Sequence, residues 1–526
     1  MGIAIITFPV IGAYVIIVWL ILPVFNYFRD PKGLRKYRNL SLLSGISDLP
    51  YVYLNSFGFR SMAITEAHRK LNSPILRIGP NNLSFGDVKA IRDIYGHSTP
   101  CLKDLKYSIT GGPHPNIFDV VDKPKHSEKR KRLSAAFAIK NLIGWEFKVA
   151  DTTARLLSAF DKRCTEPLPV NCTTPVKNDL TIDFNHWINL FTVEAINVIA
   201  LSSRLGLLEQ GDDLVTAQRM DGTTYKAHYR RAQNQSAFAT SYFIWDYQNF
   251  HLLRQLSRLF PKWRRIHGEA DPWKDVIYHQ TITRLKRYQN GEKLDDFFAS
   301  LMENKSGEPY NLEFGEILGD VGAVIDAGAD TTAIALTQVL ELLIRHPQHM
   351  ETLRQEVDSV LDGEVVAPFH KVRSLPFLRA CLDEAMRIIP PTSAGLPRRA
   401  PPEGAMILGE WIPGSTSVSM TAYATHHNST VFPDPEQFQP HRWMDPIARK
   451  KMEPYFIPFS TGGRGCICRN ISYLEQTIML ASLVHRYEFA LPSPEWRLKR
   501  FEAFNLLMGE MPIKIWHRRK TGHVAA

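Results

Sequence analysis

The sequence predicts a mainly α-helical fold with small β-sheets, preceded by one N-terminal transmembrane helix. Three observations carry this. Residues 1–28 contain no Asp, Glu, Lys or Arg. Residues 313–345 keep a helical apolar period over a span far longer than any strand. After Ile389, prolines, glycines and β-formers dominate, so 396–425 read as short strands and turns; a last helix follows at 471–487.

The N-terminal stretch Ile3–Phe28 is rich in Ile, Val, Leu, Phe and Trp. At 1.5 Å per residue it is long enough to cross a hydrocarbon core of about 30 Å. A cleaved signal peptide needs a basic start, a shorter apolar core and a small-residue cleavage site. No Lys or Arg precedes this run, which favours an uncleaved anchor. Arg29, Lys32, Arg35, Lys36 and Arg38 follow at once, so the remainder is expected on the cytosolic side. The expected organisation is an anchor over 1–28, a basic hinge over 29–55, one large catalytic domain over 56–520 and a tail over 521–526.

Composition narrows the class. Of 526 residues, 44% are apolar and 22% charged, which is ordinary globular usage and excludes a disordered, collagenous or polytopic membrane chain. Six cysteines exclude a disulfide scaffold. With 63 Lys and Arg against 53 Asp and Glu, the net charge is +10. That is mild for this size and permits an acidic partner or an anionic membrane. No nucleic-acid motif accompanies it, so no nucleic-acid partner is expected.

The strongest local signal is Pro458-Phe459-Ser460-Thr461-Gly462-Gly463-Arg464-Gly465-Cys466-Ile467-Cys468. Glycines here let the backbone take positive φ and pass close to a flat ligand. The start of the next helix offers N–H groups that favour a thiolate at Cys466. Arg464 is a fixed cation suited to a ligand carboxylate. A cysteine thiolate beneath a haem iron supplies electron density that favours O–O cleavage. The spacing Phe-x-x-Gly-x-Arg-x-Cys has four fixed residues and should arise by chance in on the order of one such chain in a thousand. A buried structural cysteine is the competing reading. Zinc is disfavoured, because no second Cys or His cluster stands at metal-ligand spacing.

Three further segments support this. Glu384 and Arg387 lie at i and i+3 on one helix face. Ala327-Gly328-Ala329-Asp330-Thr331-Thr332 puts small residues, an acid and an alcohol in the middle of the long helix, where acid and alcohol are poor helix formers. The plain reading of that alcohol is a hydroxyl bonded back to the carbonyl four residues earlier. His126-Ser127-Glu128-Lys129-Arg130-Lys131-Arg132 is a basic helical run whose plain reading is a solvated face.

Taken together these residues resemble the cytochrome P-450 family of haem-thiolate monooxygenases, over almost the whole chain. The resemblance implies the family's fold and a haem b held by an axial thiolate from Cys466, with Phe459 and Gly462 in the ligand loop. It implies that His126, Arg130, Arg398 and Arg464 reach the haem carboxylates, though Arg399 leaves the Arg398 assignment open. It implies that Asp330 and Thr331 are the catalytic pair delivering protons to bound dioxygen. Glu384, Arg387 and the Arg442 of Pro440-His441-Arg442-Trp443 would form a buried charge network behind the cysteine loop. Two positions depart from the pattern: Cys468 stands where Gly or Ala is usual, and His441 where an acid is usual.

No nucleotide or flavin fingerprint follows a strand, so electrons from NADPH must come through a separate reductase. Lys129, Lys131 and Arg132 are candidates for the face where that acidic partner docks. The resemblance places the pocket wall at 101–120, 205–250, 322–331, 392–396 and 504–507. Ile117, Phe118, Phe243, Ala323, Ala327, Leu396, Phe504 and Leu507 make it apolar, which favours a small neutral lipophilic substrate. The chain resembles fungal secondary-metabolism members, and more narrowly the m-cresol-type phenol hydroxylases of patulin-like pathways. The implied setting is the endoplasmic reticulum membrane, single-pass. Alternatives are oxidation of a terpenoid or fatty acid, a haem-thiolate isomerase or dehydratase that uses no dioxygen, and a haem carrier without enzymatic activity.

Overall fold

The computed structural model describes residues 16–519 except 135, 171 and 305. Most of the expected anchor, residues 1–15, and the tail 521–526 lie outside the described residues. What is described of the anchor is a π-helical turn, Ile17–Ile21, running into an α-helix, Leu22–Arg29. This apolar helix is shorter than a membrane span. Trp19 Nε1 donates to Asp246 Oδ2 at 3.0 Å, tying it to the body of the protein.

Six helices position the site: α1 (Lys123–Ser134), α2 (Phe184–Leu201), α3 (Tyr229–Phe243), α4 (Phe314–Arg345), α5 (Pro376–Ile388) and α6 (Arg469–Arg486). Helix α4 is 32 residues long, about 48 Å. By length and composition it would cross a membrane, but most of it is buried in protein. It packs along α2 and touches α5 and α6, so it is the central rod of the helical core. It ends at His346 because Pro347 follows. Helix α5 starts on a proline, whose missing N–H costs nothing in the first turn.

The strands form a separate layer. The largest sheet has six strands in the order Arg38–Asn39, Ile75–Gly79, Asn82–Phe85, Ser417–Ser419, Arg398–Arg399 and Leu102–Lys103. Segments far apart in the chain therefore pair directly: Ser417–Ser419 runs parallel to Asn82–Ser84. The apolar residues Leu83, Phe85, Ile407, Ile412 and Val418 form its core. Short strands do occupy 398–419 as expected, but 422–426 is helical, with the Thr421 side chain accepting from Ala424 N.

Candidate active site

The cysteine loop is a tight backbone hairpin. Cys466 N donates to Phe459 O at 2.8 Å and Gly465 N to Gly462 O at 3.1 Å. Between them Gly462–Arg464 makes a single 3₁₀ turn. Gly462 has φ +68°, and a Cβ there would come within 2.0 Å of Tyr95 O, so this position accepts only glycine. Gly463 has no such constraint. Phe459 packs on Tyr473 of α6, ring centroids 5.1 Å apart.

Cys466 is exposed by surface area, yet burial pushes its thiol up while the backbone of Cys468 and Arg469, at the start of α6, draws it down. Exposure together with depth describes a sulfur on the wall of an internal cleft. Cys468 precedes α6 as its N-cap residue and packs against the main core.

Four separate segments bring cations to the rim of this cleft. Arg130 Nη1 donates to Gly465 O at 2.8 Å, which clamps α1 on the loop. Arg464 donates to the carbonyls of Val120 (2.6 Å) and Val121 (3.1 Å). Arg398 lies over the Tyr95 ring and donates to Pro397 O. Burial brings Arg464 down to about 10, with Arg398 and Arg130 adding repulsion. Burial and then Arg464, Arg130, Lys103 and Arg398 hold the His126 imidazole down to about 3, so it is neutral. Lys103, which sequence reasoning missed, is pushed well below the usual lysine range by burial and by Arg398 and Arg464. Its side-chain nitrogen donates to Phe118 O. Several cations crowded together with little acid nearby fit a ligand that brings its own carboxylates. With an accessible cysteine sulfur in the same cleft, the residues fit haem.

Behind the loop, Glu384 is fully buried and accepts five hydrogen bonds. These come from Arg387 Nε (2.9 Å, on Oε2) and Nη2 (2.9 Å, on Oε1), Arg442 Nε (3.0 Å, on Oε1), Trp443 Nε1 (2.8 Å) and Gln439 N (3.0 Å). Arg387, also fully buried, gives its remaining N–H groups to the carbonyls of His426, Pro435 and Gln437. The His441 ring packs at an angle against those of Phe377 and His349 and gives Glu384 no hydrogen bond.

On the other side lies the middle of α4. Ala323, Ala327 and Thr331 recur every fourth residue and keep accessible surface, with Asp326 beside Ala327, while Val324, Ile325, Ala329 and Asp330 are buried. Accessible residues halfway along a helix packed on α2, α5 and α6 imply a cavity beside this stripe. Thr331 Oγ1 donates to Ala327 O at 2.9 Å, which is the back-bonded state. Gly328 does not face the stripe: a Cβ there would lie 2.7 Å from Ile196, so this glycine serves the close crossing of α4 on α2. The small side chain that opens the cavity wall is Ala327. Asp330 Oδ2 accepts from Asn505 Nδ2 at 3.1 Å. Burial pushes its carboxyl up to about 6, against the opposing pull of Arg230 and Asn505. Thr332 and Ser472 share a 2.9 Å hydroxyl contact, which bolts α4 to the helix that follows the cysteine loop.

Two sequence readings need correction, and one buried acid escaped the sequence pattern. Lys129 is buried and pairs with Glu316 (2.8 Å) and Asp320 (3.2 Å), and Arg132 with Asp320 (3.4 Å). They are struts between α1 and α4 rather than a docking surface; Lys131 alone of the three is exposed. The pocket wall is not uniformly apolar, since Asp326 stands on the accessible stripe. Glu475, in the first turns of α6, is a buried carboxyl pushed up to about 8, with Thr332 its polar neighbour, and the sequence pattern did not single it out.

A family model for cytochrome P450 matches residues 87–516, and the chain belongs to that family. A cytochrome P450 monooxygenase of Aspergillus terreus is 28% identical over 446 residues, covering 81% of this chain and 84% of the relative. The cytochrome P450 monooxygenase cicH of Emericella nidulans is 30% identical over 455 residues, covering 83% and 84%. The tryprostatin B 6-hydroxylase of Neosartorya fischeri is 25% identical over 451 residues, covering 85% and 76%. The crystal structure of the cytochrome P450DA haem domain shares the fold at TM-score 0.72 and 16% identity, covering 89% of this chain and 95% of that one. The protein is a cytochrome P450 monooxygenase, an oxidoreductase.

Proposed function

We propose that this P450 hydroxylates a small lipophilic aromatic substrate, a polyketide-derived phenol of the m-cresol kind, in fungal secondary metabolism such as a patulin-like pathway. In this reading residues 1–28 anchor it in the endoplasmic reticulum membrane, the catalytic domain over 56–520 is cytosolic, and a separate NADPH-dependent reductase supplies electrons. The observation that carries the reading is the Cys466 sulfur on an internal cleft, joined through Thr332 and Ser472 to the helix bearing Asp330 and Thr331. That a relative is named as a 6-hydroxylase favours hydroxylation over isomerisation.

Haem bound here would supply dioxygen binding and reductive O–O cleavage. Cys466 is the residue to hold the iron; Arg130, Arg398 and Arg464, with neutral His126, are those to hold the carboxylates. Asp330, held by Asn505, moves protons: a carboxyl near 6 both takes and gives a proton around neutral pH. Thr331 spends its O–H on Ala327 O and keeps its lone pairs toward the cavity, where they accept and orient an incoming proton donor. Phe118 and Phe504, ring centroids 5.5 Å apart, would offer the substrate an apolar surface.

The test is turnover of m-cresol and a panel of small phenols by microsomes carrying the protein and a reductase, with NADPH and isotope-labelled dioxygen. Labelled hydroxylated product is expected. Oxidation of a terpenoid or fatty acid in place of every phenol overturns the substrate class. Product formed without dioxygen or NADPH would instead make the protein an isomerase or dehydratase.

A further inference from the structure

One polar group on the accessible stripe of α4 has no task in proton delivery. Asp326 sits one turn before Asp330, in the middle of α4. An acid there disfavours the helix and caps nothing. Its side chain is exposed by surface area, yet burial pushes its carboxyl up and no basic residue offsets the charge. As with Cys466, that combination marks the wall of an internal cavity. Gln233 of α3 donates to Oδ1 at 2.7 Å and fixes the carboxyl's direction. Among the described residues, Oδ2 receives no donor in hydrogen-bond geometry, and no Lys, Arg or His stands within ion-pair distance of the group. A buried carboxyl held from one side and open on the other is a half-built acceptor site.

We infer that Asp326 is a specificity-determining residue whose carboxylate accepts a hydrogen bond from an O–H or N–H donor on the substrate. It lies five residues from Thr331, about 7.5 Å along the helix axis. A molecule gripped at Asp326 therefore presents to the catalytic pair a carbon roughly that distance from its donor group. Gln233 is a positioning residue, since it acts only through Asp326. The inference rests on the monooxygenase reading of the cavity, and it turns the expected apolar pocket into an apolar pocket with one polar handle.

The test uses full-length, haem-loaded protein and equilibrium titration followed by the haem absorbance. Two matched probe pairs differ only in a capped donor: m-cresol against 3-methylanisole, and indole against 1-methylindole. In the wild type the donor member of each pair should bind about tenfold tighter. In Asp326→Leu that ratio should fall to about one, with the capped probe bound as well as before. Asp326→Glu should restore the preference. Asp326→Asn, close in volume and folding as the wild type does, should lower the ratio to about threefold and decides the matter if the leucine variant does not fold. Preference by one pair alone identifies whether the donor is a hydroxyl or an N–H. The inference is overturned by a ratio that survives in the variants, by equal loss of both members of a pair as a mere helix brace would give, or by failure of both donor probes to bind. Should m-cresol bind through Asp326 but go unoxidised, the proposed reaction fails while the acceptor site stands.

Discussion

The two walls of the cleft are built on opposite plans. In the network behind the cysteine loop the charged groups are spent. Glu384 takes five hydrogen bonds, Arg387 gives to three carbonyls besides Glu384, and the loop closes on itself through Cys466 N and Gly465 N. On the α4 side the polar groups are underused. Among the described residues Asp326 has one open oxygen, Asp330 accepts from Asn505 alone, and the Tyr229 hydroxyl is buried without a partner. A saturated network is stiff, because moving any member strands the rest. A half-satisfied one can bind and pass protons. The iron's ligand is therefore held still while the reacting face stays adaptable.

The comparison breaks most completely at the cysteine. Cys466→Ser should abolish the absorbance band of the reduced carbon-monoxide complex that reports thiolate ligation, together with all turnover. Next comes Glu384→Gln. It keeps shape but strands two buried guanidinium groups, and should cost about 3–5 kcal/mol in denaturant unfolding and loosen haem retention. A loss below about 1 kcal/mol would show that the network is not the stiff wall described.

On the α4 side the expected losses are in rate rather than stability. Asp330→Asn should lower turnover by about 10²-fold with haem and melting temperature intact. Thr331→Ala should keep haem but divert reducing equivalents to peroxide; unchanged coupling of oxygen uptake to product would remove the proton role given to its hydroxyl.

The smallest effect is a pH dependence at Glu475. Its carboxyl is raised from 4.5 to about 8, chiefly by burial, so the folded state holds that proton more tightly than the unfolded chain. Its contribution to stability is whole below about 4.5 and is lost as pH climbs to about 8. Glu475→Gln stays neutral throughout, so its melting temperature should gain on the wild type between about pH 5 and about pH 8. Parallel curves would mean the carboxyl is solvated.

How much of this was legible depended on distance along the chain. The cysteine loop and the Glu384–Arg387 pair sit within a few residues, and their spacing spoke for itself. Arg442 lies 58 residues from Glu384 and was reachable only through the family resemblance. Lys129 and Arg132 were misread for the same reason. Their carboxylates, Glu316 and Asp320, lie 187 to 191 residues further on, and a basic run without visible partners looks like a solvated face. The task of Gly328 was not legible, because helix phase relative to α2 does not show in a local window; the 2.7 Å approach of a Cβ there to Ile196 puts it at the α4–α2 crossing. Asp326 was in plain view as an acid one turn before Asp330. What hid it was the surrounding apolar count, which averages away a single polar residue on a stripe.

Asp320, itself on α4, ties two further segments with one carboxylate: Ile117 N at 2.9 Å from the loop ahead of α1, and Lys129 and Arg132 from α1. Such a knot restricts how the enzyme can diversify. Residues on either side of Ile117 are free to drift and reshape what the cleft admits, because the tether uses a main-chain N–H that every residue but proline provides. The knot itself is hard to exchange one letter at a time, since losing the acid leaves Ile117 N without its acceptor and Lys129 and Arg132 with Glu316 as their one shared carboxylate. Variation in selectivity should accordingly gather around this staple and leave the staple alone.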